Sequence, residues 1–195
     1  MSRDNAETRT RILNAAWELL EAHQGKEVRM SDIAKAAGIS RQAVYLHFPT
    51  RAELLVATTR HVDEVKDVDA RLRASRTANT GVERLAAFVE AWGNYIPEIH
   101  GVARALIAMQ DSDDAAKLAW ADRMRGLRQG FEAAIRALEG DGDLSADYSA
   151  TEATDLLSSL LSVQTWEQLT QTCGWSQRQF VDHAKAMAVK LFVAA

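Results

Sequence analysis

Arg41, Gln42, Ala43, Tyr45, His47 and Arg51 lie close together within GISRQAVYLHFPTRAELL, residues 38–55. No catalytic geometry is recognisable among them, but their chemistry suits a polyanion with readable edges. In the major groove of a duplex, arginine makes a bidentate pair with guanine, and glutamine does so with adenine. Tyr45 and His47 carry donors suited to phosphate oxygens. Arg51, opening a helix behind Thr50, adds its charge to the positive end of the helix dipole.

Side chains used in this way need a helix that stands clear of the protein. The spacing predicts two short helices, 31–37 and 41–47, separated by the turn Gly38-Ile39-Ser40. Gly38 supplies the backbone freedom of the turn and Ser40 caps the second helix. Ile33, Ala34, Ile39, Val44 and Phe48 form an apolar underside, and Ala34 and Ala37 are small enough for close helix contact. That packing leaves Arg41, Gln42, Ala43, Tyr45, Leu46 and His47 pointing elsewhere. The pattern is a helix-turn-helix. Arg41, Gln42 and Ala43, behind Ser40, are expected to read bases, and Tyr45, His47 and Arg51 to hold phosphates.

The rest of the chain is written for helices as well. Proline occurs only at Pro97 and Pro49, glycine is sparse, and no stretch sustains the alternation of a half-buried strand. Thr50 with Glu53, Thr80 with Glu83, Ser149 with Glu152 and Ser176 with Gln179 fit the capping box, in which a hydroxyl and a longer side chain satisfy each other's backbone amides. Apolar residues recur at helical spacing, as in Leu85, Phe88, Val89, Trp92 and Ile96, and in Phe180, Ala184, Met187, Ala188 and Leu191. The predicted fold is all-α, with about nine helices: 6–23, 30–37, 41–47, 51–77, 81–96, 98–110, 113–139, 149–173 and 176–193. The expected division is a helix-turn-helix DNA-binding domain over 1–50 and a second helical domain over 51–195.

Composition narrows the classes. The formal charge of −4 is uneven: residues 1–61 hold nine Lys or Arg against seven Asp or Glu, and residues 62–195 hold fourteen against twenty. The basic surplus is at the front, where a nucleic acid would bind. The lone Cys173 excludes a disulfide within the chain and a multi-cysteine zinc site. The first residues lack the apolar core of a signal peptide and no stretch is apolar enough to span a bilayer, so the expected location is the cytoplasm, away from membranes. No two of the five histidines are spaced for a helical zinc site, and phosphate-loop and nucleophile-elbow motifs are absent. Neither a metal nor another cofactor is expected, nor is enzymatic activity. The acidic EGDGD, residues 139–143, lacks the spaced ligands of a calcium loop and reads as a solvated turn.

Residues from about 9 to 61 resemble the DNA-binding domain of the tetracycline-repressor (TetR) family of bacterial regulators. The resemblance rests on Ala15 and Ala16, DIAKAAGIS at 32–40, Tyr45, Phe48 and PTRAELL at 49–55. Three departures accompany it. Arg29 stands where the family usually starts its second helix with Thr or Ser, so Ser31 or the backbone must cap. Arg51 replaces the usual Lys, and Gln24 and Gly25 displace the glycine after the first helix. The resemblance implies a homodimer joined mainly by the last two helices, acting on a partly palindromic double-stranded operator and answering to a small-molecule effector. Such a protein is a transcription regulator, expected to be a repressor that its ligand releases. Trp92, Tyr95, Trp120, Met124 and Trp166, on three predicted helices, are candidates for an effector pocket, with His100, Arg104 and Gln164 as polar contacts. The competing reading is a helical enzyme or small-molecule carrier whose front helices do not bind DNA.

Overall fold

A computed structural model describes residues 3–23 and 27–194, so the expected shift of the loop glycine to Gln24 and Gly25 lies outside the described residues. Among them the fold is all-α, with eleven α-helices and one π-helical turn. The helices are α1 (Arg3–His23), α2 (Met30–Ala36), α3 (Arg41–His47), α4 (Arg51–Val65), the single turns α5 (Val68–Arg71) and α6 (Arg73–Arg76), α7 (Gly81–Met109), α8 (Asp114–Asp141), α9 (Ala150–Leu160), α10 (Val163–Glu167) and α11 (Gln177–Phe192). The described residues form two compact units: those within 1–66 and 99–124, and those within 67–98 and 125–195. The expected domain boundary at residue 50 falls between α3 and α4, inside the first unit.

In the first unit, α1 packs on α4 and α2, and α2 on α3. Ile12, Ala16, Leu20, Ile33, Val44, Phe48, Leu54 and Leu55 fill the core, with the His61 ring 2.7 Å from Asn14 Oδ1. Arg29 precedes α2, and its amide is satisfied by Asp32, 3.2 Å away, rather than by Ser31. The turn after α2 closes as a Schellman motif: Ile39 N–H donates to Ala34 O, and Gly38 N–H to Lys35 O. Gly38 has φ +67°, a left-handed conformation that disfavours residues with a Cβ.

Two long helices expected from the sequence are broken. The helix expected over 51–77 stops at Val65; Asp67 then adopts φ 51° and its carboxylate accepts from Ala70 N–H, opening α5. The helix expected over 149–173 stops at Leu160; Ser162 caps α10, accepting from Thr165 N–H at 3.0 Å, and Gln168–Thr172 winds as a π-helix. The opposite departure occurs at Pro97, where the two expected helices are one continuous α7. Proline has no N–H to give the carbonyl four residues back, here that of Gly93. Gln177 fills the gap: its Nε2 donates to Gly93 O at 2.9 Å, while its Oε1 accepts from Trp166 Nε1 at 2.8 Å.

In the second unit, Phe131 meets Phe88 and Trp92 edge-on, at 5.4 and 6.3 Å between centroids. Leu157, Phe180, Ala184, Ala188 and Phe192 complete that core. The 139–143 stretch is exposed over 139–142, as expected, but its first three residues end α8; Asp141 accepts from Gly81 N–H at the start of α7, at 2.6 Å, and Asp143 O accepts from Ala194 N–H at 2.8 Å.

Candidate nucleic-acid interface

Ser40 opens α3 with extended backbone, and its hydroxyl accepts from Ala43 N–H at 3.1 Å. Val44 is the residue of α3 that is buried, and Phe48 follows it into the core. Arg41, Gln42, Tyr45 and Leu46 are exposed, while Ala43 and His47 are half-buried. Capped at one end and anchored along one side, α3 therefore presents its other sides to solvent.

Arg41 and Tyr45, one turn apart, are already paired. The guanidinium lies 5.5 Å from the Tyr45 ring centroid, and its Nη2 donates to the Tyr45 hydroxyl at 3.3 Å. This contact raises the Arg41 pKa further, so the charge on this flank is permanent. Beside His47, Arg9 of α1 stacks 4.2 Å above the Phe48 ring and reaches the His47 carbonyl at 3.4 Å. Arg9 is a further cation beside α3 that sequence spacing could not single out, because it reaches α3 only through the α1 packing.

Arg51 departs from its expected place. Its side chain is 16% exposed and turned inward. Nη1 lies 2.7 and 2.6 Å from the two carboxylate oxygens of Asp113, and Nε donates to Val28 O at 2.6 Å. A phosphate would have to displace this carboxylate. Asp113 is itself tied down, accepting from the amides of Ala115 and Ala116 at the start of α8. Burial on its own raises the Asp113 pKa; hydrogen bonds and charge from Arg51, with the two amides, outweigh it and hold the carboxyl below its ordinary value. Two more ion pairs join α4 to the front of α8: Arg60 with Asp122 at 3.0 Å, and Asp63 with Arg123 at 2.6 Å.

Residues 12–58 match the family model of bacterial regulatory proteins, tetR family. A transcriptional activator from Mycolicibacterium smegmatis, FasR, is 36% identical over 91 residues, 46% of this chain and 41% of FasR. The transcriptional repressor LfrR of the same species is 37% identical over 84 residues, 43% of each chain. The chain thus spans about two fifths of the length of these curated relatives. Over nearly its whole length, 97%, it superposes on all of a candidate transcriptional regulator from Saccharomonospora viridis, solved in complex with choline, with 25% identity and a TM-score of 0.74. The chain carries a TetR-family domain over residues 12–58.

Outside this domain the candidate effector residues fall in different surroundings. Trp92, Tyr95 and Trp166 are buried in the second unit. Trp92 Nε1 donates to Leu161 O at 3.1 Å, the Trp166 N–H is held by Gln177, and the Arg71 guanidinium lies 5.5 Å from the Tyr95 ring centroid. Both indole N–H groups are thus engaged inside that unit. Gln164 is exposed on α10. His100, Arg104, Trp120 and Met124 belong to the first unit, Arg104 exposed and the others half-buried. Among the described residues no helix is long and apolar enough to cross a membrane, and no acidic, histidine and cysteine side chains cluster as a metal site would require.

Proposed function

We propose that this protein is a DNA-binding transcription regulator, a repressor released from its operator by a small molecule. The observation that carries this reading is α3: a helix capped by Ser40 whose outward side chains, Arg41, Gln42 and Tyr45, are donors with no role in the core. A duplex supplies acceptors in two sets, base edges and phosphates. Arg41, Gln42 and Ala43 face the first set, with Tyr45 and His47 on the second. Arg51 serves instead to hold α4. In functional terms, residues 1–50 are the reading domain, and residues 51–195 carry effector binding and dimerisation.

The working form is a homodimer. Leu156 on α9 and Met187 and Leu191 on α11 are 43, 36 and 40% exposed, an apolar surface on the two helices proposed to join the copies. Two reading heads about 34 to 36 Å apart would enter successive major grooves on one side of the operator. The cytoplasm, where the DNA is, is the proposed location.

The switch works through α4. Three arginine–aspartate pairs bind it to the loop before α8 and to the first turns of α8, and Arg51 carries the connection on to Val28, just ahead of α2. An effector contacting His100, Arg104, Trp120 or Met124 would move these first turns of α8 and pull on α4. The choline in the Saccharomonospora viridis structure supports a small organic effector without identifying this one. A ligand displaces the equilibrium only by its differential affinity for the two states, typically about 1 to 3 kcal/mol, and operator DNA weakens its binding by the same factor.

Selection from a random DNA pool followed by anisotropy titration tests the reading. An enriched, partly palindromic sequence bound with strong salt dependence is expected, and Arg41→Ala with Gln42→Ala should erase the preference while the fold persists. Binding without sequence preference, or none at all, would favour the enzyme or carrier reading.

A further inference from the structure

Leu46 has no place in the core and none in the donor chemistry above. It is 81% exposed, more than any other large apolar side chain among the described residues. Its position on α3 is informative. Residues advance about 100° per position around an α-helix. The direction opposite the buried Val44 therefore bisects Gln42 and Leu46, each within about 20° of it, whereas Arg41 and Tyr45 fall on one flank and Ala43 and His47 on the other. The crest of the reading helix thus pairs an amide with a branched apolar group one turn further on. Along the axis the two are separated by roughly 6 Å.

Resting on the regulator reading above, we infer that Leu46 is a specificity-determining residue that reads the C5 methyl group of a thymine. Within the major groove the methyl of thymine is the one apolar group that projects from the base edges, which otherwise offer donors, acceptors and small C–H positions. A leucine entering the groove against cytosine or guanine would remove water from polar edges and return no hydrogen bond. Against thymine it covers a methyl and loses nothing. Gln42 on the same crest suits adenine, so the pair specifies an A and a T on the same groove floor, within about two base-pair steps given a rise of roughly 3.4 Å. Arg41 and Tyr45 lie on one flank of this crest, from which Arg41 still reaches a base edge and Tyr45 a phosphate. Leu46 reads shape and hydration, in contrast to the donors around it.

Deoxyuridine, which lacks only the methyl, tests this directly. On the operator obtained by selection, each thymine of one half-site is replaced in turn by deoxyuridine and the dissociation constant measured for the native protein and for Leu46→Ala. The native protein should lose about three- to fivefold at one thymine, the worth of a buried methyl, and Leu46→Ala should bind the thymine and deoxyuridine forms alike. The side chain is exposed, so circular dichroism of Leu46→Ala should match that of the native protein. The inference is overturned if no single replacement weakens native binding, if Leu46→Ala keeps the full loss, or if the half-site contains no thymine. A pool from which nothing is enriched overturns the operator reading itself, and this inference with it.

Discussion

The exposed side of α3 and the interior of the second unit use similar residues for opposite ends. On α3, Tyr45 and its polar neighbours Arg41 and Gln42 face solvent, tied at most to each other. In the second unit, Trp92 and Trp166 also carry polar N–H groups, but each is buried and donates to an internal acceptor. A buried donor without a partner costs about 1 to 3 kcal/mol, so a core engages its donors. An exposed donor bears no such penalty because water satisfies it, and it can later be exchanged for a ligand atom. What marks a recognition surface is a polar side chain kept where only water competes for it.

Truncations separate the two regions, and the largest effect belongs to the core. Phe131→Ala removes a ring fully shielded between Phe88 and Trp92 and should cost about 3 to 5 kcal/mol by urea unfolding. DNA affinity per folded molecule should be retained if the regions are as distinct as their chemistry suggests.

Asp113→Asn sits between the two. It removes the charge facing Arg51, whose pair with Asp113 is 16 and 12% exposed, and a loss of about 1 to 3 kcal/mol is expected at neutral pH. The sign of the pH dependence follows from the lowered pKa of Asp113. The unfolded carboxyl binds its proton more readily than the folded one, so the contribution is complete above the ordinary value of 3.8 and is lost as pH falls through the lower folded value. The stability difference between native and variant proteins should therefore shrink below about pH 4. A difference that does not change with pH would mean that the folded protein does not hold the Asp113 carboxyl below its ordinary value.

The smallest effect is expected at the cap of the reading helix. Ser40→Ala removes the acceptor for Ala43 N–H and should cost about 1 kcal/mol. Because the cap sets the direction of Arg41 and Gln42, operator affinity should fall in the same variant while affinity for the effector is unchanged. A drop in stability without a drop in operator affinity would show that α3 is positioned by Val44 and Phe48 alone.

Chain-local features were legible in advance. The turn at Gly38, the cap at Ser40 and the capping boxes at Ser149 and Ser176 join residues within a few positions of one another, where the partner is in the same stretch of sequence. The break at Ser162 carried a readable signal too, a hydroxyl three residues before Thr165, but the apolar stripe continuing on both sides obscured it. Asp67 is a harder case, since a left-handed non-glycine residue is uncommon and only its short side chain, reaching Ala70, marks the place.

By itself, then, the sequence determined the all-α class, the helix-turn-helix and the exposed donors of α3, because helical periodicity and caps are short-range properties of a chain. Tertiary structure decided that α7 runs unbroken through Pro97, since the amide that replaces the missing N–H belongs to Gln177, 84 residues from Gly93. It also decided that Arg51 faces inward, since the carboxylate that holds it lies 62 residues on. Both outcomes depend on which polar group the fold brings to an unsatisfied one, and folding brings them together across distances that no local pattern records.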